Sequence, residues 1–470
     1  MNKRISEFID SKRDDIINDI RALVRIASVR SKEKDGCPFG EKCAEALNEG
    51  TAILDKLNLD NENYDNYVIT ASLNSNETKL GVLAHLDVVE ALDGWSCPPF
   101  DVTVKDDKII GRGVADDKGP AVAAVYAFHA VKTLYPDLKY NARLILGSAE
   151  ETGSEDIAYY FKKNSPPPAV FSPDADYPLI NTEKGRFVPE FFAQLGDKST
   201  EKRVVSFFGG VTSNVVPRIA SAVVHGIDFN KCLESALIYS KKTNAEITCS
   251  KTDGGDVEFI SVGKNAHAAQ PETGINAQTA LISLLTSFDI DSDSFNKLRV
   301  LNDMFPHGET DGNSAGIKSD DKEFGSLTCS FGTLKIENNT LSGTLDIRFP
   351  TIGDGERIKN IITDKFKYNS IEIKKARLSE VHHTPADSPF VKELLSVYED
   401  CTGKKGECLA IGGGTYVHGI DGGVAFGCAM PGVDNRMHGA DEFSYIDDLI
   451  LSAKMFAEVI YDICSGRVGI

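Results

Sequence analysis

The chain has 470 residues, of which 41% are hydrophobic and 26% charged, and its formal net charge is −19. An acidic chain with no long basic run excludes a nucleic-acid partner, because a phosphate backbone demands clustered Lys and Arg. The length exceeds one ordinary core and predicts two or three domains, and no stretch approaches the roughly 20 apolar residues of a membrane span.

The first residues, MNKRISEFIDSKRDDIINDIRALVRIAS, are charged throughout and lack the apolar stretch of a signal peptide. The cysteines are scattered with no C-x-x-C pair, which predicts free thiols in a reducing, cytoplasmic setting. A metal site would then be built from His and carboxylates. Apolar residues at helical spacing (Ile5, Phe8, Ile9, Ile16, Ile17, Ile20, Leu23, Val24) predict one or two amphipathic helices over 5–27, with another over 41–57. Short β-rich runs follow at 67–73, 80–85 and 144–147, with an Ala- and Val-rich helix over 119–134. Strands alternating with helices predict an α/β domain with a largely parallel sheet. From 182 to 385 the pattern changes to short alternating strands, at 203–208, 220–225, 256–262 and 341–349, with few helices such as 277–288. Helix–strand alternation then returns and ends in a helix over 446–464. One α/β domain interrupted by an α+β insert is the simplest topology.

Several strand-like runs end in groups that can do chemistry. Gly81-Val-Leu-Ala-His85-Leu-Asp87 sets a His and an Asp two residues apart, and such residues of a strand face the same way. Alone, an H-x-D pair is more often a core or surface feature. Gly111-Arg-Gly113-Val-Ala-Asp116-Asp117-Lys118-Gly119 opens a helix with adjacent carboxylates, either an ordinary cap or an oxygen pair shared by two cations. Leu144-Ile-Leu-Gly-Ser-Ala-Glu150-Glu151 ends a buried run in paired acids, which suits one metal ligand and one general base. Val170-Phe-Ser-Pro-Asp174-Ala-Asp176 ends another. In Asn435-Arg-Met-His438-Gly-Ala-Asp441-Glu442 the two acids read as first-turn partners of the last helix dipole, and His438 has no structural duty. Loops at the carboxyl edge of an open sheet converge, so His85, Asp116, Glu150, Glu151, Asp174 and His438 can meet. Two imidazoles with carboxylates and no thiolate suit zinc, cobalt or manganese.

The ordered series H-L-D-V-V, G-R-G-x-x-D-D-K-G, E-E-T-G-S, P-D-A-D and H-x-A-D-E resembles the metallopeptidase family that includes carnosinases, acetylornithine deacetylase and aminotripeptidase. Asp93-Gly-Trp95, Thr182-Glu-Lys-Gly185, Gly263-Lys-Asn-Ala-His267, Asp346-Ile-Arg348 and Gly412-Gly-Gly-Thr-Tyr416 extend the likeness along essentially the whole chain, toward its PepV-type (Xaa-His) dipeptidase branch. The resemblance implies an α/β catalytic domain, 1–183 and 385–470, with a mostly parallel central sheet flanked by helices. An inserted α+β lid, 184–384, would interrupt it and consist of two similar halves. It implies two divalent ions, zinc with manganese or cobalt as substitutes. Asp116 would bridge them across a cis Asp116–Asp117 peptide, His85 and Asp174 completing one site, Glu151 and His438 the other. Asp87 would orient His85, and Glu150 would be the general base. From the lid, His267 would stabilise the developing oxyanion, while Asn214 and Arg348 would hold the substrate carboxylate. Gly413 and Thr415 would line the substrate pocket. The implied activity is hydrolysis of unblocked dipeptides, of broad Xaa-Xaa or Xaa-His type, by a monomer; the alternative is an N-acyl amino acid deacylase of acetylornithine or succinyl-diaminopimelate type. One departure is Val417-His418, where such relatives carry Ala-Arg. It leaves the metal ligands untouched and bears on side-chain preference, with His418 a loop residue rather than a third ligand.

Overall fold

The strand Thr78–His85 is buried over its last six residues, as expected of a strand covered on both faces. The computed structural model, which describes residues 1–198, 200–322 and 324–470, shows it pairing in parallel with Asn141–Gly147 on one side and Ala169–Ser172 on the other. Gly423–Ala425 adds a further parallel neighbour to Ala169–Ser172. Antiparallel strands flank this centre: Val68–Ser72 and then Asp60–Tyr64 on one side, Leu179–Glu183 on the other. The register sets His85 opposite Gly147, so the segments after both strands leave the sheet at the same edge.

The helix Lys118–Leu134 lies in the core of this layer, with nearly every residue from Lys118 to Val131 buried. Its alanines let neighbours approach closely, and it packs against Ile446–Ser465, Arg13–Val24 and Lys3–Asp10. Arg13–Val24 presents Ile16, Ile20, Leu23 and Val24 at the spacing of one helical face. No helix among the described residues is long and apolar enough to cross a membrane.

The chain divides into two compact units. The first comprises Met1–Thr182, His382–Leu409 and Gly414–Ile470, the second Glu183–Val381 and Ala410–Gly413. The second is built on an eight-stranded antiparallel sheet with a repeated plan. A hairpin (Arg203–Gly209, Ile219–His225) leads to the helix Phe229–Thr243 and the strand Glu246–Lys251. A second hairpin (Thr328–Glu337, Thr340–Phe349) leads to the helix Asp354–Tyr368 and the strand Glu372–Ser379. The halves join where Arg203–Gly209 pairs with Thr328–Glu337. Phe187, Phe207, Phe259, Leu281, Phe295, Leu345 and Phe366 lie in its core.

This unit holds more helix than its sequence pattern suggests. In Phe229–Thr243 the buried residues are Cys232, Ala236 and Thr243, whereas Leu233, Leu237 and Ile238 are exposed. Apolar side chains on the outer side blur the period that betrays a helix. The strand Asp60–Tyr64 (DNENY) escapes for a related reason: as an edge strand it buries no residue fully and carries no alternating apolar signal.

Candidate metal centre and active site

His85 is the last residue of its strand and fully buried. Its Nδ1 lies 3.0 Å from the Asp87 carbonyl oxygen and 3.4 Å from Asp87 Oδ1. That turns Nε2 toward Asp116 Oδ1 at 3.0 Å and Asp174 Oδ2 at 3.4 Å. The other oxygen of Asp116 is 2.9 Å from His438 Nε2, which in turn lies 3.2 Å from Glu151 Oε2. Asp116 therefore gives one oxygen to each of two clusters, His85–Asp116–Asp174 and Asp116–Glu151–His438. His85 Nε2, Asp116 Oδ1 and Glu151 Oε1 are buried and have no well-formed hydrogen bond among the described residues, the 3.0 Å approach of Nε2 to Oδ1 being a close contact between two potential ligand atoms. Buried polar atoms ordinarily find partners, so a set of nitrogen and oxygen donors left unpaired and converging fits divalent cations.

The local fold explains the convergence. The Asp116–Asp117 peptide is cis, and Asp117 Oδ2 accepts the His85 backbone N–H at 2.8 Å, linking strand end to helix start. Lys118 is buried behind it, donating from Nζ to the carbonyls of Leu23 at 2.9 Å and Ile26 at 2.7 Å, and burial pushes its pKa down to about 7. Asp87 accepts the N–H groups of Glu150 and Glu151 at 3.2 Å each, holding the turn Glu150–Thr152 beside the histidine.

Electrostatics match this crowding. Burial raises the pKa of Glu150 well above its ordinary value, and the neighbouring Asp174, Glu151 and Asp116 add to the rise while His85 opposes it. Glu151 is pushed up to about 7, first by burial and then by Asp116. His438 rises to about 11 through its contacts with Asp116 and Glu151. Burial works against protonation of His85, but Asp116, Asp174 and Asp87 together outweigh it. The carboxylates thus draw positive charge onto both imidazoles, the same demand that a cation meets.

In the second unit, Asn214 and His267 sit on paired segments: Val215 bridges His267, and Ala268 N donates to the Asn214 carbonyl at 2.9 Å. Arg348 is buried, with Nε 2.9 Å from Asp346 Oδ1 and Nη1 donating to the Gly412 carbonyl at 2.5 Å. A Cβ on Gly412 would stand 2.9 Å from Ala269 Cβ, so a bare backbone there lets Arg348, Gly412–Gly413 and the His267 loop meet. Thr415 belongs to the first unit and is buried, accepting the His418 N–H at 3.0 Å through its carbonyl. His418 enters neither cluster.

A model of peptidase family M20/M25/M40 matches residues 81–462. The chain belongs to this family. A putative dipeptidase of Bacillus subtilis (strain 168), YtjP, is 34% identical over 459 residues, covering 96% of this chain and 98% of its own. The Beta-Ala-Xaa dipeptidase of Lactobacillus delbrueckii subsp. lactis is 32% identical over 469 residues, covering 98% and 99%. Human carnosine dipeptidase 1 shares the fold with a TM-score of 0.58 at 16% identity over 98% of both chains. As an M20 metallopeptidase the chain is a hydrolase of peptide bonds, and the two His–carboxylate clusters are its candidate metal ligands.

One expectation is corrected in this M20 peptidase. Asp441 and Glu442 are not first-turn acids: the last helix begins at Ile446, and the acids of its first turn are Asp447 and Asp448. Asp441 Oδ1 accepts from Ser96 N at 2.8 Å and Ser96 Oγ at 3.0 Å. Glu442 is fully buried, with Oε2 2.5 Å from Arg112 Nη1 and Oε1 accepting from the backbone of Gly113, Ala115 and Asp116. The sequence pattern gives Arg112 no role, its one local mark being its place between Gly111 and Gly113, and shows Asp117 as an adjacent carboxylate without its bond to the His85 amide.

Proposed function

We propose that this M20 peptidase is a dipeptidase that hydrolyses unblocked dipeptides with two divalent cations, zinc in the first place and manganese or cobalt in its stead. The observation that carries the reading is Asp116, whose two oxygens serve two separate His–carboxylate clusters. His85 and Asp174 would complete one site, Glu151 and His438 the other. The names of full-length relatives, putative dipeptidase and Beta-Ala-Xaa dipeptidase, support the substrate class.

Bound there, the cations would polarise the scissile carbonyl and lower the pKa of water. Glu150 accepts the proton of the attacking water and delivers it to the leaving amine, the work of a general base followed by a general acid. Asp87 fixes the tautomer and orientation of His85. His267 donates to the carbonyl oxygen as negative charge develops, a contribution of a few kcal/mol where such donors are preorganised. Arg348, held by Asp346 and Gly412, offers a planar fork that suits the free carboxylate of a dipeptide, with Asn214 beside the His267 segment as its companion. Gly413 and Thr415 line the substrate. In this reading the first unit is catalytic, the second is a lid, and the protein acts as a cytoplasmic monomer. The free state of all ten cysteines supports a reducing compartment.

Purified protein loaded with zinc, manganese or cobalt would be incubated with carnosine, Ala-His, Leu-Leu and N-acetyl amino acids. Hydrolysis of the free dipeptides is expected. Turnover of the acylated amino acids alone would replace the dipeptidase reading with a deacylase, and light scattering reads the oligomeric state.

A further inference from the structure

Four successive backbone N–H groups precede and begin the turn that carries Glu150 and Glu151, and all four end on carboxylates. Ser148 N and Ala149 N donate to Asp156 Oδ2 at 2.6 and 2.8 Å, while Glu150 N and Glu151 N donate to the two oxygens of Asp87. Runs of backbone N–H groups of this kind form anion-binding concavities. Asp156 is fully buried, and among the described residues no Lys, Arg or His pairs with it. Its partners are those two amides, its neighbour Ile157 N at 2.7 Å, and the Tyr416 hydroxyl, which donates to Oδ2.

Tyr416 reaches this place from the Gly412-Gly-Gly-Thr-Tyr416 segment, far away in sequence. Its hydroxyl binds Asp156, and its ring meets the ring of His85 edge-on with centroids 5.9 Å apart. One phenol therefore touches both the anchor of the Glu150 turn and a metal-cluster histidine. The approach depends on Gly147, where a Cβ would overlap both Tyr416 Oη and Asp156 Oδ2. The turn has little of its own to hold it. It is a single 3-10 turn of three residues, followed by Gly153 and Ser154 with φ of +110° and +58°.

We propose that Asp156 and Tyr416 are positioning residues for the hydrolytic step: together they fix the backbone from which Glu150 reaches the reacting water, an inference that rests on Glu150 being the base. Asp87 clamps the turn from the His85 side and Asp156 from the other, so the backbone that carries Glu150 and Glu151 cannot turn without releasing charge-assisted hydrogen bonds. The Tyr416 hydroxyl is a third donor on the oxygen that takes the Ser148 and Ala149 amides, so it adds to the stabilisation of this buried carboxylate and keeps it aimed at them. Both side chains are buried, with Asp156 on the amides that precede the turn, so the proposed effect of the pair is on geometry rather than on binding.

The test compares Tyr416→Phe, Asp156→Asn and Glu150→Ala with the wild type, each as the cation-loaded full chain turning over Ala-His or, if a different dipeptide proves better, that dipeptide. Tyr416→Phe is expected to lower kcat about ten-fold, in line with the steep cost of small misplacements at a reacting centre, while KM stays within about two-fold. Cation content and thermal midpoint should match the wild type. Asp156→Asn should lower kcat further; if it fails to fold, Tyr416→Phe alone decides. A folded, cation-replete Tyr416→Phe enzyme with wild-type kcat overturns the proposal. So does a loss of rate that only tracks lost cation or lost folded protein, since that is a structural effect. The reading of Glu150 fails separately, and only if Glu150→Ala retains turnover.

Discussion

Glu442 Oε1 accepts the backbone N–H of Asp116 at 3.2 Å, so the residue shared by both clusters is held by a carboxylate four positions after His438. The same carboxylate takes the amides of Gly113 and Ala115 and pairs with Arg112, both members of the ion pair being buried. Removing one partner of a buried pair leaves the other charge uncompensated, which costs about 3–5 kcal/mol. Glu442→Ala should therefore unfold at markedly lower urea concentration and, where still folded, bind cations more weakly. Equal unfolding midpoints for variant and wild type would show that Arg112 and the loop find other partners.

The shared oxygen atoms predict a hierarchy of metal loss. Asp116→Ala removes a donor from both clusters, whereas His438→Ala removes a donor from one. After dialysis, elemental analysis should find His438→Ala depleted of one cation and Asp116→Ala of both. Asp87→Asn touches neither cluster directly. It alters the group that orients His85, and such changes typically weaken metal affinity by about 10- to 100-fold. A titration with a competing chelator reads that difference.

Glu150 is expected to separate chemistry from binding. It stands in neither ligand cluster, and its neighbour Glu151 does. Glu150→Gln should retain both cations and bind dipeptide, while kcat falls by at least about 10²-fold, the usual contribution of a general base. Glu151→Gln, in contrast, should lose one cation. Single-turnover rates and cation content measured on the same preparations distinguish the two.

Arg348 is expected to act on affinity. It is held on Asp346 and the Gly412 carbonyl, and Lys cannot reproduce its bidentate fork. Arg348→Lys should raise KM for free dipeptides more than it lowers kcat. Dipeptide amides, which lack the carboxylate, should be turned over equally by variant and wild type; a wild-type KM for free dipeptides in the variant would argue against the contact.

What the sequence displays depends on how local each signal is. His85, Asp116, Glu150 and Asp174 are legible because each follows an apolar strand or opens a buried helix, and such ends converge at one sheet edge. The family likeness then orders them. Glu442 is misread because its partners, Arg112 and the Gly113–Asp116 amides, lie more than three hundred residues earlier, and only proximity to a helix is visible locally. Asp156 and Tyr416 are hidden for the same reason, their hydrogen bond spanning 260 residues. The helix Phe229–Thr243 escapes because its exposed leucines mimic a second buried face.

Away from the site, Glu393 predicts a pH dependence of stability. It lies on the helix Pro389–Thr402, with Asp462 and Glu458 on Ile446–Ser465 and Asp400 on its own helix as acidic neighbours. Burial first, and then Asp462 sharing a hydrogen bond, push its pKa up from 4.5 to about 7. Arg467 Nη1 lies 3.2 Å from Asp462 Oδ1 and so pairs with the acidic neighbour of Glu393. The folded chain therefore holds a proton that the unfolded chain has already released between those two values. Stability from this group is fully present below about pH 4.5 and is lost as pH rises through about 7. Glu393→Gln has no such proton to lose. Its urea midpoint relative to wild type should climb as pH is raised from 5 to about 8 and level off above that, since both titrations are then complete. A difference between the two proteins that stays constant across this range would mean that Glu393 titrates alike in both states.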